Sequence, residues 1–124
     1  MQTVRFLSRL ELTNDPDDDG DWLLVSDFHV ALGERDLCIP ADFRTDLAST
    51  PRWLWPIFPP FGRWDEAAVL HDWIYRAPGM ESRPTREEAD SLFLLACLEC
   101  GVSWWRANLM YAAVRLFGSS SYQT

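Results

Sequence analysis

The hydrophobic pattern of this chain changes period once, and the change falls on a proline cluster. Up to about residue 46 apolar residues recur at a spacing close to two. From residue 63 onward they recur at three and four. Between these stretches lie Pro51, Pro56, Pro59 and Pro60. A period of two lines one face of a strand, and a period near 3.6 lines one stripe of a helix. Proline lacks an amide proton and fixes φ, so neither pattern runs through the cluster. The predicted class is therefore α+β: a small antiparallel β-sheet from the N-terminal half, packed on a three-helix C-terminal half. At 124 residues this is expected to be one domain. It divides into a β-rich part over 1–46, a Pro/aromatic loop over 47–62, helices over 63–118 and a polar tail over 119–124.

Within the first half, Val4, Phe6, Ser8, Leu10 and Leu12 alternate with Arg5, Leu7, Arg9 and Glu11, which predicts a first strand. Trp22 to Leu32 predicts a second. Asp19-Gly20 between them suits a hairpin, since glycine accepts positive φ. Glu34 to Ile39 predicts a third strand, entered through Gly33 and left through Pro40. In the second half, helix one is predicted from about Arg63 to Arg76, stopping before Pro78-Gly79. Helix two starts at a capping box of Thr85 and Glu88, with Pro84 just outside. Its stripe is Ala89, Leu92, Phe93, Ala96, Cys97 and Cys100, and Gly101 ends it. Helix three is predicted from a Ser103 cap through Trp105, Leu109, Ala112, Ala113 and Leu116 to Gly118.

Charge and cysteine content exclude several function classes. Eleven basic residues, all arginine, face nineteen acids, a net charge of -8. A nucleic-acid binder needs a basic face to displace counterions, so none is expected here. A hydrophobic share of 48% excludes intrinsic disorder. Three cysteines, Cys38, Cys97 and Cys100, do not make a disulfide framework. The N-terminus lacks the apolar run of a signal peptide, and no stretch approaches a membrane span. The chain is expected to be made soluble, in a reducing compartment.

One constellation could carry chemistry. His71-Asp72 lies in the middle of helix one, on a face shared with Trp64, Ala67, Ala68 and Tyr75. The neighbouring face holds Leu70, Trp73, Ile74 and Ala77, so this helix is expected to be central. A histidine there is a satisfied core residue or a functional base. In either case its ring needs polar partners. Asp90, in the second turn of helix two, complements the helix dipole. If it faces helix one, it also accepts from His71, fixing the tautomer of a base. Asp72 and Arg76 suit an i, i+4 ion pair. Thr45, Asp46, Ser49 and Thr50 crowd the segment before Pro51. They form a self-capping turn network, or they set Asp46 or Ser49 opposite His71 as ligand, orienter or nucleophile.

Three weaker signals read as ordinary structure. Asp15-x-Asp17-x-Asp19-Gly20 begins like a calcium loop, but its twelfth position is Ser26, and a solvated acidic hairpin accounts for it. Cys97-x-x-Cys100 lacks a second pair for zinc, and Cys38 alone does not supply one. Trp53, Trp55, Phe58 and Phe61 cover the core or anchor the chain to another protein or to lipid.

Three motifs taken together carry a resemblance. Phe43-x-Thr45-Asp46-x-Ala48-Ser49-x-Pro51-Arg52, Ala67-Ala68-x-x-His71-Asp72-x-x-Tyr75 and Arg86-x-x-Ala89-Asp90-x-x-Phe93 follow one another here. In that order they resemble an uncharacterised family of bacteriophage proteins, known as a domain of unknown function. The resemblance runs from about Leu37 to Gly118 and implies phage origin, but no activity. The His-Asp-x-x-Tyr helix followed by an aspartate on the next helix is also similar to secreted phospholipase A2. That resemblance implies an antiparallel helix pair with His71 as base and Asp90 and Tyr75 orienting it. It also implies Asp72 as a Ca²⁺ ligand; Asp46 is the residue expected to stand in for the ligands this chain lacks. Thr45, Ser49 and Arg86 would support the site or bind substrate. The chain departs from that family at Pro59-Pro60-Phe61-Gly62, where a glycine-rich calcium loop belongs, and at Ala67 and Ala68, where cysteines belong.

These readings give two expectations. One is a phage protein made in the host bacterial cytoplasm and incorporated in the virion, as a tail or connector component. It would carry a hydrolase-like, Ca²⁺-assisted site for envelope lipid or another ester. The other is a structural tail or assembly subunit whose His/Asp cluster only stabilises the fold. Its partners would be other virion proteins or copies of itself, docked through Trp53, Trp55, Phe58 and Phe61. A less favoured third is a small host-modulating protein made early in infection.

Overall fold

The computed structural model of the protein describes residues 3–14, 22–45, 65–76 and 84–117. Six strands precede three helices: β1 (Val4–Phe6), β2 (Leu12–Asn14), β3 (Trp22–Leu24), β4 (Phe28–Leu32), β5 (Arg35–Ile39), β6 (Arg44–Thr45), α1 (Asp65–Arg76), α2 (Arg86–Glu99) and α3 (Trp104–Phe117). The α+β class is as the periodicity predicts. The Asp19-Gly20 turn, the proline loop, Asp46, Ser49, Trp53, Trp55, Phe58, Phe61 and Trp64 lie outside the described residues.

Where one sheet is predicted, there are two, ordered β1-β4-β5 and β2-β3-β6, and every pairing is antiparallel. The runs 4–14 and 22–32 still pair along their length. Phe6 faces Val30, and Leu12 faces Leu24. Between them the ladder thins to Leu7 N–H on the His29 carbonyl and Val25 N–H on the Glu11 carbonyl. There Ser8 Oγ takes the His29 N–H at 2.9 Å. Asp27 Oδ1 takes the Ala41 N–H at 2.8 Å. Side-chain acceptors thus replace ladder partners, and each predicted strand bends into two.

The β4–β5 hairpin turns on Gly33, whose φ is 63°. Leu32 and Arg35 pair across it, so Gly33 is the first of two loop residues, where a type II′ turn requires glycine. After β5 the chain turns back through Asp42 into β6. Pairing of β6 with β3 sets Thr45 opposite Trp22 and buries it completely.

α2 has the predicted ends. Thr85 Oγ1 accepts from Glu88 N–H at 3.2 Å, and the Glu88 carboxylate takes the Thr85 N–H at 3.4 Å. At the other end Gly101 adopts φ 89°. Its N–H reaches Leu98 O, and Val102 N–H reaches Cys97 O, a Schellman closure. The predicted α2 stripe is buried from Ala89 to Cys97, with Cys100 partly covered. On α3 the buried side is Ala107, Met110, Ala113 and Val114, while Trp105, Leu109 and Leu116 face solvent. α2 packs against both α1 and α3, and against β1. Phe28, Val30 and Ile39 of the first sheet share one core with Leu70, Ile74, Phe93 and Met110. No described helix is long and apolar enough to cross a membrane.

Candidate functional site

Helix spacing brings the polar cluster together. His71 and Tyr75 stand one turn apart on α1, and Asp90 stands in the second turn of α2. Ala67 and Ala68 on α1 and Ala89 and Phe93 on α2 are buried where the two helices pack together. His71 Nε2 lies 2.7 Å from Asp90 Oδ1. The Tyr75 hydroxyl donates to the same oxygen. Arg115, from the last turn of α3, donates from Nη1 to Asp90 Oδ2 at 2.7 Å. One carboxylate, itself fully buried, therefore gathers donors from two neighbouring helices.

The electrostatics follow from that geometry. Burial pushes the Asp90 carboxyl up, but the bonds from His71, Tyr75 and Arg115 outweigh it and hold the group below the usual aspartate range. Burial and the Asp90 hydrogen bond both push the Tyr75 phenol up, so it stays a donor. An ionised carboxylate only accepts, so the His71 proton facing it sits on Nε2. In the neutral ring Nδ1 then carries the lone pair. Nδ1 is buried and has no hydrogen-bond partner among the described residues. The ring is held between Tyr75 and Phe93, at centroid distances of 4.0 Å and 4.9 Å. His71 is 4% exposed.

Asp72 turns to a different neighbour. Successive residues on a helix point about 100° apart, and Asp72 meets β6, accepting from Thr45 Oγ1 at 2.5 Å. Arg76, one turn on, donates to the Arg44 carbonyl at 3.1 Å. The two oxygens that Asp72 and Thr45 bring together are of the donor class calcium takes, but calcium needs six to eight. Asp72 belongs to no group of three or more His, Cys, Asp or Glu ligands among the described residues; Asp27, His29 and Cys38 form such a group.

Arg86 acts on α3. Its Nη2 donates to the Val114 and Arg115 carbonyls at 3.0 Å and 2.7 Å. Those carbonyls belong to the last turn of α3, where intrahelical donors run out. Arg86 thereby holds the helix end that carries Arg115. Sequence reasoning missed Arg115, because an arginine in the last turn of a helix is already accounted for by the dipole. Of the residues singled out beforehand, His71, Tyr75 and Asp90 meet, Thr45 and Asp72 meet beside them, and Asp46 and Ser49 lie outside the described residues.

No curated protein and no solved structure matches the chain. One family does match, over residues 22–114, a span that holds β3 to β6, all of α1 and α2, and the α3 turn next to Arg115. That span is well over half of the sequence and contains every described member of the cluster except Arg115, so the chain belongs to the family described as Protein of unknown function, DUF1353.

Proposed function

We propose that this protein is a bacteriophage-encoded, virion-associated hydrolase whose general base is His71. The observation that carries the proposal is the pairing of Nε2 with Asp90 while Nδ1 is left without a partner among the described residues. A histidine so arranged takes a proton from water at Nδ1 when that buried edge of the ring opens to solvent. The water oxygen then adds to an ester carbonyl, and the proton passes on to the departing alcohol. Asp90 and Tyr75 orient the ring, and Arg115 keeps Asp90 ionised. The similarity of His71-Asp72-x-x-Tyr75 and Asp90 to the phospholipase A2 helix pair favours an ester of envelope lipid as the substrate class. Phage origin and a place in the tail or connector rest on the three-motif resemblance. Trp53, Trp55, Phe58 and Phe61 would then dock the chain on other virion proteins or on copies of itself. Calcium belongs to the proposal at Asp72, with Asp46 added to the Asp72 and Thr45 oxygens.

A second reading rests on a different observation. His71 and Asp90 are almost sealed from solvent and bind α1, α2 and α3 together. In that reading the cluster holds the fold of a structural tail subunit. One experiment separates the two. Mixed phosphatidylethanolamine and phosphatidylglycerol vesicles and short aryl esters are offered to the wild type and to His71→Ala, with calcium or chelator. The hydrolase reading expects cleavage that falls about 10²–10⁴-fold in the variant while the circular dichroism is kept. No cleavage by the wild type, with a large loss of melting temperature in the variant, leaves the structural reading. Mass spectrometry of purified particles tests the virion assignment.

A further inference from the structure

Cys38 reads from the sequence as a thiol without zinc partners, but the fold supplies them. In the β4–β5 register His29 stands directly opposite Cys38. Directly opposed residues project from the same face of a sheet. Here that face is the outer one, since Phe28, Val30, Leu37 and Ile39 alternate with them and fill the core. Asp27, at the bend before β4, completes the group. One ligand atom from each of Asp27, His29 and Cys38 lies within 4.8 Å of the other two, and all three residues are exposed. The frame beneath them is fixed. The His29 N–H is held by Ser8 Oγ, and Asp27 Oδ1 is held by the Ala41 N–H.

We propose that Asp27, His29 and Cys38 form a binding site for a borderline-soft divalent cation of the zinc class, with a fourth coordination position open. Thiolate, imidazole and carboxylate are the three side-chain donors zinc takes. The sulfur and nitrogen donors select against calcium and magnesium. A tetrahedral zinc ion spaces its donors about 3.5 Å apart. The three atoms lie within 4.8 Å of one another, so the closure needed is at most about 1.3 Å, which rotation of the exposed His29 and Cys38 side chains provides. The site lies on the outer face of the first sheet and shares no residue with the His71 cluster. The neutral Cys38 thiol carries one proton, and the thiolate is the form that ligates a metal. Binding forms the sulfur–metal bond and releases that one proton to solvent.

The test uses the full chain with zinc alone, by calorimetry with a competing chelator, and with cobalt alone, by absorption. The expected result is one ion per chain and a thiolate–cobalt charge-transfer band that Cys38→Ser abolishes. Outer-sphere partners of a metal are worth about 10–100-fold in affinity, so loss of a direct ligand in Cys38→Ser or His29→Ala should weaken zinc by at least roughly a hundredfold. Cys100→Ser should leave affinity unchanged. Bound zinc should also shield Cys38 from iodoacetamide. Should either single variant lose its circular dichroism, Asp27→Asn takes its place in the comparison. Failure of zinc to bind, equal zinc affinity in all variants, or a cobalt band that survives Cys38→Ser and is lost in Cys100→Ser would overturn the proposal.

Discussion

Asp90 is a charge taken fully out of water, and such a charge persists only where donors replace its hydration. Three side chains do so, and their combined effect on its ionisation is downward despite burial. A lowered carboxyl in the folded state means that the unfolded chain binds the proton more tightly. The stabilisation is then complete above the ordinary aspartate value, about 3.9, and is lost as pH falls below that through the folded value. Asp90→Asn removes this part of the acid limb. It should flatten the dependence of unfolding free energy on pH below about 4 and lower stability at neutral pH by about 2 kcal/mol, the scale of hydrogen bonds to a charged group. Urea titrations across that range measure both, and an unchanged acid limb would mean that Asp90 is not the group responsible. The meeting of His71, Tyr75 and Asp90 was legible in part: helix spacing puts His71 and Tyr75 on one stripe, but whether Asp90 faces them depends on how α2 packs against α1. Arg115 was not, because its role depends on where α3 ends relative to α2, and that position is set by Arg86 on the α3 carbonyls.

Elements differ in how locally they are specified. α2 carries its own start and stop: the reciprocal Thr85–Glu88 bonds and the positive φ of Gly101 are interactions within a few residues of chain. Its boundaries could therefore be read directly. Thr85→Ala removes the cap acceptor and should cost about 1 kcal/mol, read as a lower urea midpoint with an unchanged slope. Because the cap is remote in role from Asp90, the acid limb of the pH profile should keep its shape. The strands are the opposite case. Residues 22–32 are mostly apolar, and the break between β3 and β4 is marked only by Ser26-Asp27, two polar residues that a single continuous strand can also carry on its outer face. That break depends on Ser8 Oγ reaching His29 and on Asp27 reaching Ala41, across 21 and 14 residues of sequence. Such contacts exist only once the fold has formed, which is why one sheet was expected and two are found. The same long-range register brings Cys38 beside His29 and Asp27, a grouping of which spacing along the chain gave no sign.

At the scale of the whole molecule, the His71 cluster lies where three helices converge, and two polar contacts beside it reach the strands. α1 binds α2 through His71 and Asp90, and α2 binds α3 through Asp90 and Arg115. The second sheet is tied to the same helix by the Thr45 hydroxyl on Asp72 and by Arg76 on the Arg44 carbonyl. The first sheet reaches the helices through β1 packed on α2. His71 and Asp72, neighbours in sequence, thus hold opposite connections: one to the helix cluster, the other to the strands. A network of this form predicts that damage at the sheet junction is felt in the helices. Thr45→Val keeps the volume of the buried side chain and removes its hydroxyl. It should cost about 1.5–3 kcal/mol, because the lost bond is to a carboxylate. If the two halves unfold as one unit, tryptophan fluorescence and far-ultraviolet circular dichroism will shift together to a lower urea midpoint. Separated transitions would instead show that the helices hold the His71 site without the sheets. In that case the His71 and Asp90 side chains owe their geometry to helix packing alone.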